Sequence, residues 1–219
     1  VAGDYARNQT TYRVQYGGQS QDDTGKMFGF TKADARGYKG PRWISIEPSK
    51  VHMNSSNVSF AKVYGGTENV CPMNFNVMAA EYVDGYVYMA ADDGWIYVAK
   101  QGDWSNCAKA SYYYGQTGSI LEDMAYNYAD QTLYALDSSN WVYTVDLITG
   151  RMAPAFSVSV VNPYTSASNM RKLICMAIDD DGNFYAVNHG TTVNTYLYRW
   201  SKQDIVNGAV TNLYPVGGQ

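Results

Sequence analysis

Few residues in this chain are able to do chemistry. Only two histidines occur, His52 in a polar stretch and His189 in Asn188-His189-Gly190-Thr191-Thr192. Zinc-peptidase chemistry needs two histidines one helical turn apart around a glutamate, and no such HExxH run is present. A nucleophile elbow needs Gly-x-Ser-x-Gly after a buried strand, and Gly18-Gln19-Ser20-Gln21-Asp22 lacks the last glycine. Neither of the glycine loops that cradle phosphates occurs. A Ser-His-Asp arrangement around His189 stays open, against the plainer reading of a solvated loop histidine.

Carboxylates are more numerous: Asp92 and Asp93, Glu122 and Asp123, Asp137, and Asp179 to Asp181. Two of them flanking a glycosidic bond would suit glycoside hydrolysis. Most stand in turn-like stretches, where an aspartate binds backbone N–H groups just ahead of it. Asp179-Asp180-Asp181-Gly182-Asn183 also invites a calcium reading, with Asp179 and Asp181 as ligands, because a hard cation wants several oxygens from one tight loop. The EF-type pattern needs a glutamate at its twelfth position and none stands there, so an Asp-Gly hairpin turn is the plainer reading. No other cofactor is expected.

The elements that must position these residues are strands, and they repeat. Asp123 to Gly150 reads as three short strands with two tight turns, and its parts recur on either side. Met-Ala opens the unit at Met78-Ala79, Met124-Ala125 and Met176-Ala177, at intervals of 46 and 52 residues. A tyrosine-rich strand follows at Tyr86-Val87-Tyr88, Leu133-Tyr134-Ala135 and Phe184-Tyr185-Ala186. An aromatic-aliphatic-Tyr strand follows that, at Trp95-Ile96-Tyr97, Trp141-Val142-Tyr143 and Tyr196-Leu197-Tyr198. A period of roughly 40 to 50 residues made only of strands is the signature of a propeller blade.

The expected fold is therefore all-β: a β-propeller of about four blades, each a four-stranded antiparallel sheet with strands A to D from the axis outward. Residues 1–219 read as one domain, with blades at about 10–65, 76–115, 122–161 and 173–217. The four blades either close a small ring or form part of a larger one completed by more chain or another subunit. Strands B and C, covered on both faces by neighbouring blades, should be apolar almost continuously, as Trp141 to Val145 is. Ala79, Ala125 and Ala177 should share one crowded position of strand A. Asp84-Gly85, Asp93-Gly94 and Asp181-Gly182 supply the positive φ of two-residue hairpins. The first blade is divergent, with strands expected at Tyr12 to Tyr16, Met27 to Thr31, Trp43 to Glu47 and Val58 to Tyr64. The rival reading makes residues 1–70 a cap outside the repeat.

In a propeller the D–A and B–C loops share a rim where ligands usually sit. On this reading the rim carries the basic and aromatic residues Arg36, Tyr38, Arg42, Tyr164 and Arg171. It also carries Asp92, Asp93, Asp137, Asn140 and His189, with Asn69, Asn162 and Asn188. Rings stack on the apolar faces of sugars while amides and carboxylates bond hydroxyls, and Tyr and Arg also favour protein contacts. The plainer reading is ordinary solvated loops.

Composition bounds the partners. Hydrophobic residues are 46% and charged residues 16% of 219, which fits a globular chain rather than a disordered one. A net charge of −4 and a pI near 5.1 argue against nucleic-acid and anionic-lipid partners, and no apolar run is long enough to cross a membrane. The chain starts at Val1, so it reads as a processed or excised piece whose missing signal says nothing of compartment. Of three cysteines, Cys175 reads as a buried small hydrophobe beside Met176. Cys71 and Cys107 could pair if oxidised, though the blade reading sets them toward opposite ends and weighs against a bond.

Met124 to Met152, with its run Tyr143-Thr144-Val145-Asp146 and Thr149-Gly150, resembles the repeats of secreted and surface bacterial β-propeller proteins. The likeness is close for Met124 to Gly150, fair for Met78 to Lys100 and Met176 to Trp200, and poor for residues 1–70. It implies an extracellular or cell-surface location and no reaction. The expected function is a non-catalytic binding or adhesion module for a glycan or a protein surface. The rivals are a glycoside hydrolase or lyase using rim carboxylates, and a structural subunit of an extracellular assembly that self-assembles or takes further blades from another chain.

Overall fold

The computed structural model describes residues 16–21, 27–31, 42–46, 52–54, 57–59, 64–69, 71, 76–118, 120–158, 172–188, 196–207 and 214–218. They form two compact units, Val1–Ala110 and Ser111–Gln219, each taken by itself below. No described helix is long and apolar enough to cross a membrane.

Among the described residues the fold is all-β apart from two short helical turns, Tyr114–Thr117 and Lys202–Val206. In the first unit, β1 (Tyr16–Gln21), β2 (Met27–Thr31), β3 (Arg42–Ile46) and, beyond a separate hairpin of β4 (His52–Asn54) and β5 (Asn57–Ser59), β6 (Tyr64–Asn69) make a four-stranded antiparallel sheet. A second sheet follows in simple succession: β7 (Val77–Val83), β8 (Tyr86–Ala91), β9 (Trp95–Lys100) and β10 (Cys107–Tyr113). The second unit repeats the pattern twice. The third sheet is β11 (Leu121–Asn127), β12 (Thr132–Asp137), β13 (Trp141–Val145) and β14 (Met152–Ser157). The fourth is β15 (Leu173–Ile178), β16 (Phe184–Asn188), β17 (Tyr196–Trp200) and β18 (Tyr214–Gly218).

The divergent first sheet departs from expectation at its edges. Its first strand begins at Tyr16, where the expected one ended, and its fourth lies at Tyr64–Asn69 rather than at Val58 to Tyr64. Asn57–Ser59 belongs instead to the separate β4–β5 hairpin. Both edge strands are glycine-rich, YGGQSQ and YGGTEN, and carry no alternation by which to place them.

The repeat is deeper than the Met-Ala words that announced it, and those words are partly misaligned. A β-bulge interrupts the first strand of each four-stranded sheet, between Gly17 and Gln19, Val77 and Ala79, Leu121 and Asp123, and Leu173 and Cys175. Aligned on the bulge, Met124 and Met176 correspond to Ala80 and not to Met78. Met124 faces Ala135 and Met176 faces Ala186, whereas Ala80 faces Met89. The large and small partners have changed strands, so the volume of that layer is conserved while the motif moves. By the same alignment Ala125 corresponds to Ala177 and to Glu81, not to Ala79. Ala125 is buried and Ala177 exposed, so the small residue does not mark one crowded position throughout.

Strand-by-strand burial follows sequence only in part. β12 is buried at every residue after Thr132, as expected for a covered middle strand. β13 is not: Trp141 is 41% exposed, and only Val142 and Val145 are fully covered. Of the outer strands with described burial, β10 has no buried residue and β14 buries only Met152 and Phe156. At the first hairpin of the second sheet Asp84 (φ 48°) and Gly85 (φ 85°) are both left-handed, the conformation the Asp-Gly pair was expected to supply.

Each unit has its own core. In the first, Phe30 packs with Val87, Met89, Tyr97 and Trp104, and the Phe30 and Trp104 rings meet edge to face at 5.5 Å. In the second, Tyr134 and Phe156 of the third sheet meet Phe184 of the fourth edge to face at 5.0 and 5.5 Å, while Phe184 stacks on Trp200 at 5.4 Å. Fully burying each such ring contributes about 1.5–3 kcal/mol.

Two cysteine expectations are corrected. Cys71 and Cys107 are disulfide-bonded. The segment ahead of β7 does not stay apart from the β9–β10 turn. The Cys71 N–H donates to the Trp104 carbonyl at 2.7 Å, which brings the connector onto the turn that ends at Cys107. Cys175 is the free cysteine and is exposed, because it lies on the face of β15 turned away from the aromatic core. One element had a readable signal and was missed: α1 (Lys202–Val206), between β17 and β18. Ser201 and Asp204 form its capping box, Ser-x-x-Asp.

Candidate functional site

The described candidates gather at one kind of place, the turn between the second and third strands of a sheet. Asp92 and Asp93 lie in the β8–β9 turn, Asp137 and Asn140 at the β12–β13 turn, and Asn188 ends β16. Arg42 opens β3, where it pairs with Asn69 across the sheet. Arg36, Tyr38, Tyr164, Arg171, His189 and Asn162 lie outside the described residues.

The local chemistry of these turns is consistent. Asp93 accepts the Trp95 N–H at 3.1 Å and the Tyr97 hydroxyl at 2.6 Å. Asp137, almost fully buried, accepts the N–H groups of Ser139 and Trp141, both at 2.8 Å, and the Tyr143 hydroxyl at 3.3 Å. Two turns outside the rim set do the same. Asp130 takes the Thr132 N–H and the Tyr134 hydroxyl at 3.1 and 3.0 Å. Asp179 takes the Asp181 and Asn183 N–H groups, the Asn183 amide and the Tyr185 hydroxyl, between 2.7 and 3.1 Å. One device recurs: a carboxylate closes the turn by its backbone donors and is covered by a tyrosine hydroxyl four or six residues on. Asp92 is engaged differently, by the backbone and side-chain nitrogens of Asn76 at 2.8 and 2.6 Å, which ties the turn to the start of β7.

The buried amides act between strands and sheets. Asn140 holds a left-handed backbone, φ 63°, and its side-chain oxygen accepts the Leu173 N–H of the fourth sheet at 2.8 Å. Asp123 accepts the Met176 N–H of the same strand at 2.8 Å, and Glu122 forms an ion pair with Lys172. The Asn188 oxygen accepts the Tyr196 N–H at 2.7 Å across its own turn. Asn140, Asp123 and Glu122 thus clamp the third sheet to the first strand of the fourth.

Electrostatics follow from this. Hydrogen bonds from Thr149, through side chain and backbone, hold Asp146 below the ordinary carboxylate range. At Asp179 burial opposes, but the donors of Asn183, Tyr185 and Asp181 together still lower it. Burial, and then the Asp130 carboxylate, push the Tyr134 hydroxyl up to about 12, and burial with Asp93 raises Tyr97 further. A general acid at neutral pH needs a carboxyl held above its ordinary range, the opposite of what Asp146 and Asp179 show.

The calcium reading does not fit the geometry of its turn. A cation site needs oxygens facing inward without protons, and the Asp179 carboxylate is instead surrounded by N–H and O–H donors. Among the described residues no three His, Cys, Asp or Glu side chains are placed to hold a metal ion. The Asp–Tyr device was missed at the level of sequence, although its spacing was readable as Asp93/Tyr97, Asp130/Tyr134, Asp137/Tyr143 and Asp179/Tyr185.

No protein-family model and no curated protein matches the sequence. Among solved structures the chain is similar to a structural-genomics protein of unknown function from Bacteroides thetaiotaomicron, with a TM-score of 0.59 at 13% identity. The match covers 94% of this chain and 48% of that one, so the chain spans about half the length of the protein it resembles. At that identity the likeness concerns the fold alone, an arrangement of antiparallel sheets.

Proposed function

We propose that the four sheets are blades of a β-propeller-type array that serves as a non-catalytic binding or adhesion module outside the cell, with a glycan as its ligand. The observation that carries the reading is the division of labour at the β12–β13 turn. Asp137 and Asn140 are buried and engaged, while Trp141 beside them is 41% exposed. An exposed indole on a rigid turn offers a flat apolar face for a sugar ring. The turn carboxylates are occupied by their own turns, which favours binding over acid–base chemistry. The Cys71–Cys107 disulfide supports an oxidising compartment, since such bonds persist outside the reducing cytosol.

The test is a screen of the folded chain against glycans and cell-wall polysaccharides, with and without a calcium chelator, beside Trp141→Ala. The reading expects saturable binding, indifferent to chelator, that weakens about tenfold or more in the variant, the equivalent of about 1.4 kcal/mol. A blank screen on folded protein would remove the glycan from the proposal. Cleavage of any bound polysaccharide would overturn its non-catalytic part.

A further inference from the structure

Two tryptophans occupy the same place in their sheets, and only one of them carries a cation. Aligned on the bulges, Ala90 corresponds to Leu136 and Ile96 to Val142, so Trp95 at the head of β9 corresponds to Trp141 at the head of β13. Their turns match as well. Asp93 accepts the Trp95 N–H at 3.1 Å, and Asp137 accepts the Trp141 N–H at 2.8 Å. The Lys109 ammonium of β10 lies over the Trp95 ring, 3.8 Å from its centre. β14, the strand beside β13, reads Met152-Ala153-Pro154-Ala155-Phe156-Ser157 and has no cation to offer. Among the described residues no cation lies over the Trp141 ring, and Trp141 is the exposed one of its set, since Tyr196 at the same place in the fourth sheet is buried. Charge divides the two units in the same sense. Residues 1–110 hold eleven Asp and Glu against eleven Lys and Arg, a balance of zero. Residues 111–219 hold nine against five and so carry the whole net charge of −4.

We propose that the open Trp141 face takes from its ligand the cation that Lys109 provides at Trp95, and, resting on the glycan reading of the β12–β13 turn, that the glycan is an amino sugar with a free, protonated amine. The face of an indole is the negative part of its quadrupole, and an ammonium centred on it is attracted electrostatically. A hexosamine with a free amine joins an apolar ring face and an ammonium in one rigid unit, so a single indole can meet both. Its N-acetylated form keeps the ring and loses the charge. The Asp137 carboxylate accepts two N–H groups and the Tyr143 hydroxyl of its own turn, so the ring rather than this carboxylate receives the ammonium. The negative balance of residues 111–219 favours a cationic sugar further, by a longer-range attraction that salt screens.

The experiment titrates β-linked oligosaccharides of glucosamine, N-acetylglucosamine and glucose, matched in length, into the chain by calorimetry at one pH where the amine is protonated. Each is also titrated into Trp141→Leu, which keeps an apolar side chain and removes the quadrupole. The glucosamine oligomer should bind about fivefold more tightly than its N-acetylated form, the scale of a cation over an exposed ring. Trp141→Leu should lose that preference. High salt should reduce it only in part, because the longer-range attraction is screened more than the contact. If Trp141→Leu does not fold, the ratio that the unmodified chain retains at high salt decides. Equal affinity for the amine and its acetylated form would overturn the proposal and leave the glycan reading standing. Failure of the glucosamine oligomer to bind would overturn it too, and the wider polysaccharide screen then decides the glycan reading separately. A preference that survives in folded Trp141→Leu would place the ammonium elsewhere and likewise overturn it. So would a lysine oligopeptide that binds through Trp141 while the glucosamine oligomer does not, which would make the partner a protein.

Discussion

The two units tie their sheets together by different means. In the first unit Phe30 of the first sheet packs on Trp104, and a covalent bond from Cys71, in the connector between the two sheets, to Cys107 at the start of β10 fixes that connector beside it. In the second unit no disulfide is present. Asn140 and Asp123 reach across to the backbone of β15, and four rings interlock between the sheets. Packing is common to both units, and it is reinforced once by a bond that needs an oxidising medium and once by buried hydrogen bonds. The first solution is sensitive to redox conditions; the second is sensitive to shape.

That contrast can be broken from either side. The largest effect should come from Phe184→Ala, which empties the middle of the ring cluster. It should cost about 3–5 kcal/mol, read as lost hydrogen-exchange protection in β15 to β17, with β7 to β9 unaffected. Removing the disulfide by Cys71→Ser with Cys107→Ser should do the converse. Its 36-residue separation corresponds to about 4 kcal/mol on a chain-entropy estimate, seen as lower protection in β7 to β9. If both changes loosen both units equally, the two do not depend on separate ties. Asn140→Ala should cost less, about 1–3 kcal/mol, because it leaves the Leu173 N–H without its acceptor inside the sheet contact. A denaturant titration of the second unit's tyrosine fluorescence would measure it.

The smallest effect is a matter of pH. Tyr134 keeps its proton in the folded chain to about 12, above the ordinary tyrosine value of 10.0. Its contribution is fully present below that ordinary value and is lost as pH rises from there through the folded value, because the unfolded chain ionises first. Stability should therefore decline above pH ~10, and Tyr134→Phe should flatten that decline. An identical alkaline slope in the variant would show that Asp130 and burial do not govern it.

The middle strands were legible because β8, β12 and β16 combine apolar and aromatic residues with turn pairs at fixed distances. The register of the first strands was not. It depends on a bulge, and the exchange of Met and Ala between Ala80–Met89 and Met124–Ala135 preserves volume while erasing the shared letters. The first sheet was hidden by glycine, which leaves no pattern to read. At the turns the aspartates were visible as turn formers, but their tyrosine partners were read only as strand residues. Pairing requires two side chains on one face, and residues four and six apart in a hairpin meet that condition where the turn folds them together. The exposure of Trp141 also escaped the sequence, since an aromatic at the head of a strand looks the same covered or open.

The central claim is that the turn carboxylates hold turns rather than perform reactions, and Asp137 tests it most directly. Its carboxylate is the acceptor for two backbone N–H groups and the Tyr143 hydroxyl in a nearly water-free site. The measurement is the equilibrium unfolding free energy of Asp137→Ala against the unmodified chain. The account predicts a loss of about 2–3 kcal/mol, the cost of leaving buried donors unpaired. An unchanged unfolding free energy would contradict it, and would return Asp137 to the residues available for chemistry.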